Sequence, residues 1–306
     1  MLLKDKDYID NEYYVYNRRF FRVIGLWEYQ TSLKKLVYVC TINFMIVIGL
    51  YQQIYTLLTS ERNLKSIAKL LEITLPTLCF GSCYYNLLLN GAIMKKILYR
   101  IKHDWDELAN KPELIILKKY AYVSRLCTVT IAVFFYLYIA FLVFPSLISN
   151  FRYIFGAIRE TELVLPITFN VKNQMRYYLE LSLQCINISV LCTVGIANYS
   201  MLIAVIQHAC ALFNIIIWRV NEKFKKQSHN SCRPDKKVVL AEENEWIIGI
   251  IKFYNNAIEF VLCFDLTNTE KLTNICYVIA SLFVIYAYFH FGQKLIDNNV
   301  NVSQTL

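Results

Sequence analysis

The chain has 306 residues, of which 57% are hydrophobic and 18% are charged, and its mean hydropathy is +0.37. Soluble domains carry about a quarter charged residues, so the composition excludes an ordinary soluble enzyme or binding domain. The formal charge of +9 raises nucleic-acid binding as an alternative. The basic residues flank apolar runs and form no dedicated patch, which argues against that alternative.

Five apolar runs follow one another along the chain, and four of them exceed the roughly 18 residues that mark a membrane span. A buried core helix is the alternative for any single run, but it does not account for so many. The sequence therefore predicts an all-α, polytopic transmembrane helix bundle. The predicted spans are residues 36–58, 70–94, 126–148, 181–206 and 275–295.

The fourth run is too long for the membrane. It stays apolar from Leu181 to Trp218, and a helix of that length extends roughly 57 Å at 1.5 Å per residue. Because the hydrocarbon core is about 30 Å thick, the helix is expected to project into the cytoplasm. We therefore predict a cytoplasmic helical segment over residues 207–266.

A second helix is predicted within that segment, from Trp246 to Leu266, because apolar residues recur there at helical spacing. Lys252 and Glu259 interrupt it. The pattern favours an amphipathic helix that packs on another helix, with a poor membrane span as the alternative. The residues of the predicted packing face are Ile247, Ile251, Tyr254, Ile258 and Leu262.

The distribution of Lys and Arg predicts the orientation. The N-terminal residues 1–35 and the connections 95–125 and 219–252 are rich in both, whereas 59–69 and 149–180 are poor. Cytoplasmic connections carry the excess of basic residues, so the N-terminus is expected in the cytoplasm. G-protein-coupled receptors have the opposite orientation, and their Asp-Arg-Tyr and Asn-Pro-x-x-Tyr motifs are missing here.

Reactive side chains form no recognisable catalytic or metal-binding pattern. No two histidines have the spacing of a metal site, and there is no Cys-x-x-Cys pair, phosphate loop or nucleophile elbow. The sequence therefore predicts no enzyme activity, no metal and no cofactor. Glu72, near the outer end of the second span, is either a functional intramembrane acid or a residue that reaches water.

Aromatic and apolar side chains in the outer halves of the third and fourth spans predict a ligand site. Walls of this kind with a few polar groups suit a small, volatile, hydrophobic ligand. The alternative is ordinary helix packing together with interfacial aromatic belts. The candidate ligand-binding residues are Phe135, Tyr136, Tyr138, Leu142, Tyr178, Gln184 and Ile188.

Four short segments, at residues 17–27, 208–210, 256–260 and 292–297, resemble motifs of insect odorant receptors. The likeness is greatest to the expanded sets of ants, bees and wasps. It implies a seven-helix subunit with a cytoplasmic N-terminus, in the plasma membrane of olfactory sensory neurons. It also implies a heterotetrameric, odorant-gated cation channel formed with a shared co-receptor, an odorant pocket in the outer half of the membrane, and cytoplasmic helices that anchor the subunits.

The chain departs from that family in two places. The residues that carry the fifth family helix are missing between Phe260 and Val261, and the chain stops at Leu306 before the pore-lining seventh helix. About five spans of the seven-helix fold are therefore expected. A truncated, non-conducting or nonfunctional product is one alternative to a working subunit, and a gustatory-type receptor of the same superfamily is another.

Overall fold

The computed structural model describes residues 12–27, 32–59, 64–155, 174–229 and 236–262, together with Gln293. In these ranges every regular element is helical, which confirms the all-α fold. A short 3-10 helix, Glu12–Tyr14, precedes the α-helices. The α-helices are α1 (Val15–Val23), α2 (Ser32–Thr59), α3 (Leu64–Leu89), α4 (Gly91–Leu108), α5 (Leu114–Ile154), α6 (Gln174–His229) and α7 (Lys236–Leu262).

Three of the described helices are long and apolar enough to cross a membrane. They contain the stretches Leu33–Thr56 of α2, Leu114–Arg152 of α5 and Tyr178–Lys225 of α6. α5 presents large apolar side chains on its outer surface, among them Phe141 with 76% of its area exposed. Such a surface suits lipid and not water, in keeping with a transmembrane bundle.

The second predicted span is divided between two helices. α3 ends at Leu89, the chain turns at Asn90, and α4 begins at Gly91, so the helix breaks four residues before the predicted end of the span. The fifth predicted span, residues 275–295, lies outside the described part apart from Gln293. The number of spans and their orientation stay predictions.

α6 is the central helix, in contact with α1, α2, α3, α5 and α7. It is continuous over 56 residues, roughly 84 Å at 1.5 Å per residue, which confirms the uninterrupted helix predicted through Trp218. A helix surrounded by others buries residues on every side. The buried residues in its middle include Leu191, Cys192, Val194, Ile196, Ala197, Ser200, Met201, Ala204 and Val205.

α7 confirms the helix predicted from Trp246, but only part of the predicted packing face meets α6, where the ring centroid of Tyr254 lies 6.4 Å from that of Phe213. Ile247 and Ile251 are 45% and 52% exposed, whereas Phe253 and Phe260 are buried. The buried stripe lies one residue away from the predicted one, which is about 100° around a helix of 3.6 residues per turn. Apolar spacing predicted an amphipathic helix but did not predict which of two adjacent apolar stripes meets α6.

α1 lies against the bundle because the chain turns sharply after it. Phe21, Ile24 and Trp27 are buried, and Gly25 has a φ of 71°, a left-handed conformation that glycine adopts without steric strain. A Cβ at this position would lie 2.5 Å from the Cβ of Tyr38 on α2. Glycine therefore permits both the turn and the close contact between this segment and α2.

Candidate functional site

Polar side chains from near the end of α2, the middle of α3 and near the start of α6 lie together. Gln53 is buried, and its Nε2 donates a hydrogen bond to Thr77 Oγ1 at 2.9 Å. Gln52 Nε2 donates to Glu180 Oε1 at 2.7 Å, and Gln184 Nε2 donates to the same oxygen at 3.4 Å. These bonds tie α2 to both α3 and α6.

Asn187 continues this polar cluster one turn closer to the middle of α2. It is buried, and a Cβ at Gly49 would overlap its Nδ2, so the amide rests directly on the backbone of α2. Gln53 lies one turn further along that helix. Within the described residues, Gln53 Oε1 and Asn187 Oδ1 are buried without a hydrogen-bond partner. Leaving such an acceptor unpaired costs about 1–3 kcal/mol, so a donor that enters here is favoured.

An aromatic cluster joins α3, α5 and α6 in the bundle interior. The ring of Phe135 lies 5.7 Å from that of Phe80 and 6.1 Å from that of Tyr199, between centroids. These separations lie in the range of favourable aromatic pairs. A Cβ at Gly195 would lie 2.7 Å from Phe80 Cε1. The absence of a side chain at Gly195 therefore lets α3 bring this ring against α6.

The seven predicted ligand residues are divided between the interior and the surface of the bundle. Phe135 is half-buried in the aromatic cluster, and Gln184 and Ile188 are buried on α6. Tyr136 is 43% exposed; its hydroxyl lies 3.3 Å from Thr193 Oγ1, and its ring lines an apolar groove between α1 and α5. The remaining three are partly exposed, namely Tyr138, Leu142 and Tyr178.

Sequence reasoning missed the polar residues of α2 and α3. Gln52 and Gln53 interrupt the first apolar run, and polar residues within spans face the bundle interior as a rule. The sequence alone could therefore have predicted that these two residues face the interior. The partners Thr77 and Asn187 could not be found in the same way. Identifying them requires knowing which helices are neighbours and in what register.

A second polar network lies near the junction of α4, α6 and α7. His208 is buried, with Nε2 3.0 Å from Asp104 Oδ2 and its ring centroid 5.0 Å from that of Phe260. Arg100 Nε lies 3.5 Å from Asp104, and Nη2 donates to the backbone carbonyl of Asn256 at 3.5 Å. His208 of α6 thus contacts both α4 and α7. No described residues form a group of three that could hold a metal ion.

A further contact in this region joins the start of α5 to α6 and α7. Arg219 Nε donates to Glu113 Oε1 at 2.9 Å, and its guanidinium lies 4.3 Å from the ring centroid of Phe253. Near α4, the ring of Tyr14 meets that of Trp105 edge-on at 6.3 Å. Burial raises the pKa of Tyr14 to about 12.

The comparison with known families covers most of this architecture. Residues 70–270, more than half of the chain, match the sequence model of the family described as 7tm Odorant receptor. The matched region contains α4, α5, α6 and α7 and most of α3, and with them the aromatic cluster and the Asp104–His208 network. No curated protein matches the chain.

Proposed function

Because the chain belongs to the insect odorant receptor family, we propose that it is a receptor subunit that binds a small hydrophobic odorant and gates cation conduction with a co-receptor. Family membership gives it a chemosensory receptor role, and its apolar helices make it a membrane protein. The proposed assembly is a heterotetramer with the co-receptor in the plasma membrane of olfactory sensory neurons, with the N-terminus of the chain in the cytoplasm.

The observation that carries the odorant-binding proposal is the pair of unpartnered amide oxygens near an aromatic interior. Gln53 and Asn187 are buried polar residues on helices that also supply apolar walls. Mostly apolar surroundings with a few convergent polar groups are typical of small-molecule sites. Gln184 and Ile188, near the start of α6, support the same location, which lies in the outer half of the membrane in the proposed orientation.

The chemistry of this site favours odorants that donate a hydrogen bond. Both unpartnered atoms are amide oxygens, which accept and cannot donate. An alcohol supplies a hydroxyl donor on an apolar chain, whereas its methyl ether has nearly the same shape without the donor. One hydrogen bond contributes about 0.5–1.5 kcal/mol, equivalent to roughly a two- to twelvefold difference in affinity.

Current recording tests the receptor function. The chain is expressed with the family co-receptor in cells that lack other odorant receptors, and a panel of volatile alcohols, ethers, esters and hydrocarbons is applied. We expect odorant-evoked cation currents that require both subunits. Cells with the co-receptor alone are the control. If the chain reaches the cell surface but the odorant response of cells with the co-receptor stays unchanged across the panel, the proposed conduction is contradicted.

A second experiment tests the binding site. Gln53→Leu replaces the amide acceptor with an apolar side chain of similar size, so it should lower sensitivity to the most effective alcohol about tenfold and leave the response to its methyl ether nearly unchanged. Thr41→Val is the matched control on α2, because Thr41 is exposed and donates only to its own helix. Equal losses for alcohol and ether would place the odorant elsewhere.

A further inference from the structure

An apolar groove lies between α1 and α5 on the surface of the bundle. The groove is open along one side and has a volume of about 450 Å³. This volume falls within the range of about 300–1,000 Å³ found for small-ligand sites. Aromatic rings of α1 form one wall, and aliphatic side chains of α5 together with the ring of Tyr136 form the other. The residues that define the groove are Tyr16, Phe20, Val129, Ala132, Val133, Tyr136 and Leu137.

The length of the groove matches one lipid leaflet. Its α5 wall runs from Val129 to Leu137, a rise of roughly 12 Å at 1.5 Å per residue. Half of the hydrocarbon core is about 15 Å. Since the predicted span begins at residue 126, this wall lies in the cytoplasmic leaflet in the proposed orientation.

The end of the groove nearest the cytoplasm is basic. The guanidinium of Arg125 lies 5.6 Å from the ring centroid of Tyr16, and Arg19, one turn after Tyr16 on α1, is exposed. Neither α1 nor α5 contains an acidic residue, so no carboxylate of either helix competes for these cations. Guanidinium groups bind phosphate with two parallel hydrogen bonds, and basic residues at the cytoplasmic surface attract anionic lipids.

We propose that the groove is a binding site for an anionic phospholipid of the cytoplasmic leaflet. One acyl chain lies along α5 between Val129 and Leu137, and the headgroup phosphate is held by Arg125 and Arg19. A helix of another protein is a poorer occupant. Helices that pack closely within membranes meet through small residues, whereas Ala132 is the one small residue among the seven that line this groove, and the other six are aromatic, Val or Leu.

Photo-crosslinking of the full chain in phosphatidylcholine nanodiscs tests this proposal. Trace phosphatidylserine that carries a diazirine on one acyl chain is compared with phosphatidylcholine that carries the same chain, and labelled peptides are identified by mass spectrometry. We expect the serine lipid to label residues 129–137 at least fivefold more strongly. Equal labelling by the two lipids, or no labelling of this peptide, overturns the proposal.

Two pairs of variants separate a specific site from general lipid contact. Arg125→Gln should lower the preference for phosphatidylserine about fivefold, since each basic residue contributes roughly 1 kcal/mol at an anionic surface, and Arg125→Lys should keep most of it. Val133→Trp should fill the groove and abolish labelling, while Leu147→Trp, at a similarly exposed position of α5, should leave it unchanged.

These variants also cover the possibility of altered folding. Each is compared with the original chain by size-exclusion profile and helical circular dichroism, and the Arg125→Lys and Leu147→Trp variants provide folded references. The proposal is overturned if residues 129–137 are labelled as strongly in Arg125→Gln and Val133→Trp as in the original chain. Such labelling would show that the probe reports ordinary contact with bulk lipid.

Discussion

Asp104 and His208 form a buried pair that connects α4 to the central helix. Both side chains are almost fully buried, and the pair has a separation of 3.0 Å. Asp104→Asn should destabilise the purified chain by about 2 kcal/mol, because a hydrogen bond to a charged group contributes about 1.5–3 kcal/mol. Thermal unfolding in detergent, followed by circular dichroism, measures the change.

The control for this pair is an exposed one. Lys225 and Glu222 lie 3.4 Å apart with the lysine side chain 73% exposed, and such pairs contribute about 0.2–1 kcal/mol or nothing measurable. Lys225→Gln should therefore change stability much less. Additive effects of Asp104→Asn and His208→Gln in the double variant would show that the two residues do not stabilise the fold as a pair.

Two glycines on helices offer a second comparison. Gly195→Ala places a methyl group 2.7 Å from the ring of Phe80, and overpacking of this kind costs about 1–3 kcal/mol. Gly249→Ala on α7 meets nothing within 4 Å and should stabilise its helix by about 0.5–1 kcal/mol. Opposite shifts of the unfolding midpoint are expected. A stabilising effect of Gly195→Ala would mean that the aromatic cluster tolerates more volume than the structure allows.

The candidate site was only partly predictable at the residue scale. Phe135 could be proposed because aromatic residues on an apolar span are visible in the sequence. Gly195 was not, because its importance depends on a ring contributed by α3 more than 100 positions away. The same limit applies to Gln53 and Asn187, whose shared location depends on the register between α2 and α6.

At the scale of a single helix, α7 allows a test of which face packs against the bundle. Phe260 is buried against His208, whereas Ile251 is 52% exposed. Phe260→Ala should destabilise the chain by about 3–5 kcal/mol, and Ile251→Ala should change stability by no more than about 0.5 kcal/mol. Chemical unfolding of the two purified variants decides between the faces. A larger effect of Ile251→Ala would restore the face predicted from the sequence.

The helices themselves were predictable because apolar periodicity and length are local properties. α6 illustrates this, since one unbroken apolar run predicted a helix that continues well beyond a membrane. The face of α7 was not predictable because two adjacent stripes are apolar, one with Ile247 and Ile251 and one with Phe253 and Phe260. Only the position of α6 relative to α7 selects between them, and that is a tertiary property.

At the scale of the whole molecule, the composition of the chain predicts a helical membrane bundle. The number of membrane crossings depends on how many of its helices span the bilayer. α7 is the decisive element. Its buried face contacts α6 near charged groups such as Arg219 and Glu113, which favours a location outside the hydrocarbon core, where charges are costly. If α7 does not cross the membrane, the five predicted spans separate the two ends of the chain.

Glycosylation of added acceptor sites tests this count. With the N-terminus in the cytoplasm, five spans place residues after 295 outside, whereas a crossing α7 would return them to the cytoplasm. An Asn-x-Ser acceptor in a flexible extension after Leu306 should be glycosylated, and so should a reference acceptor inserted near residue 160. An acceptor inserted at residue 232, between α6 and α7, should stay unmodified. Endoglycosidase-sensitive mobility on gels reports glycosylation at all three positions.

An unmodified extension beside a modified reference acceptor would mean that the number of spans is even. α7, or a helix not counted among the five predicted spans, would then have to cross the membrane.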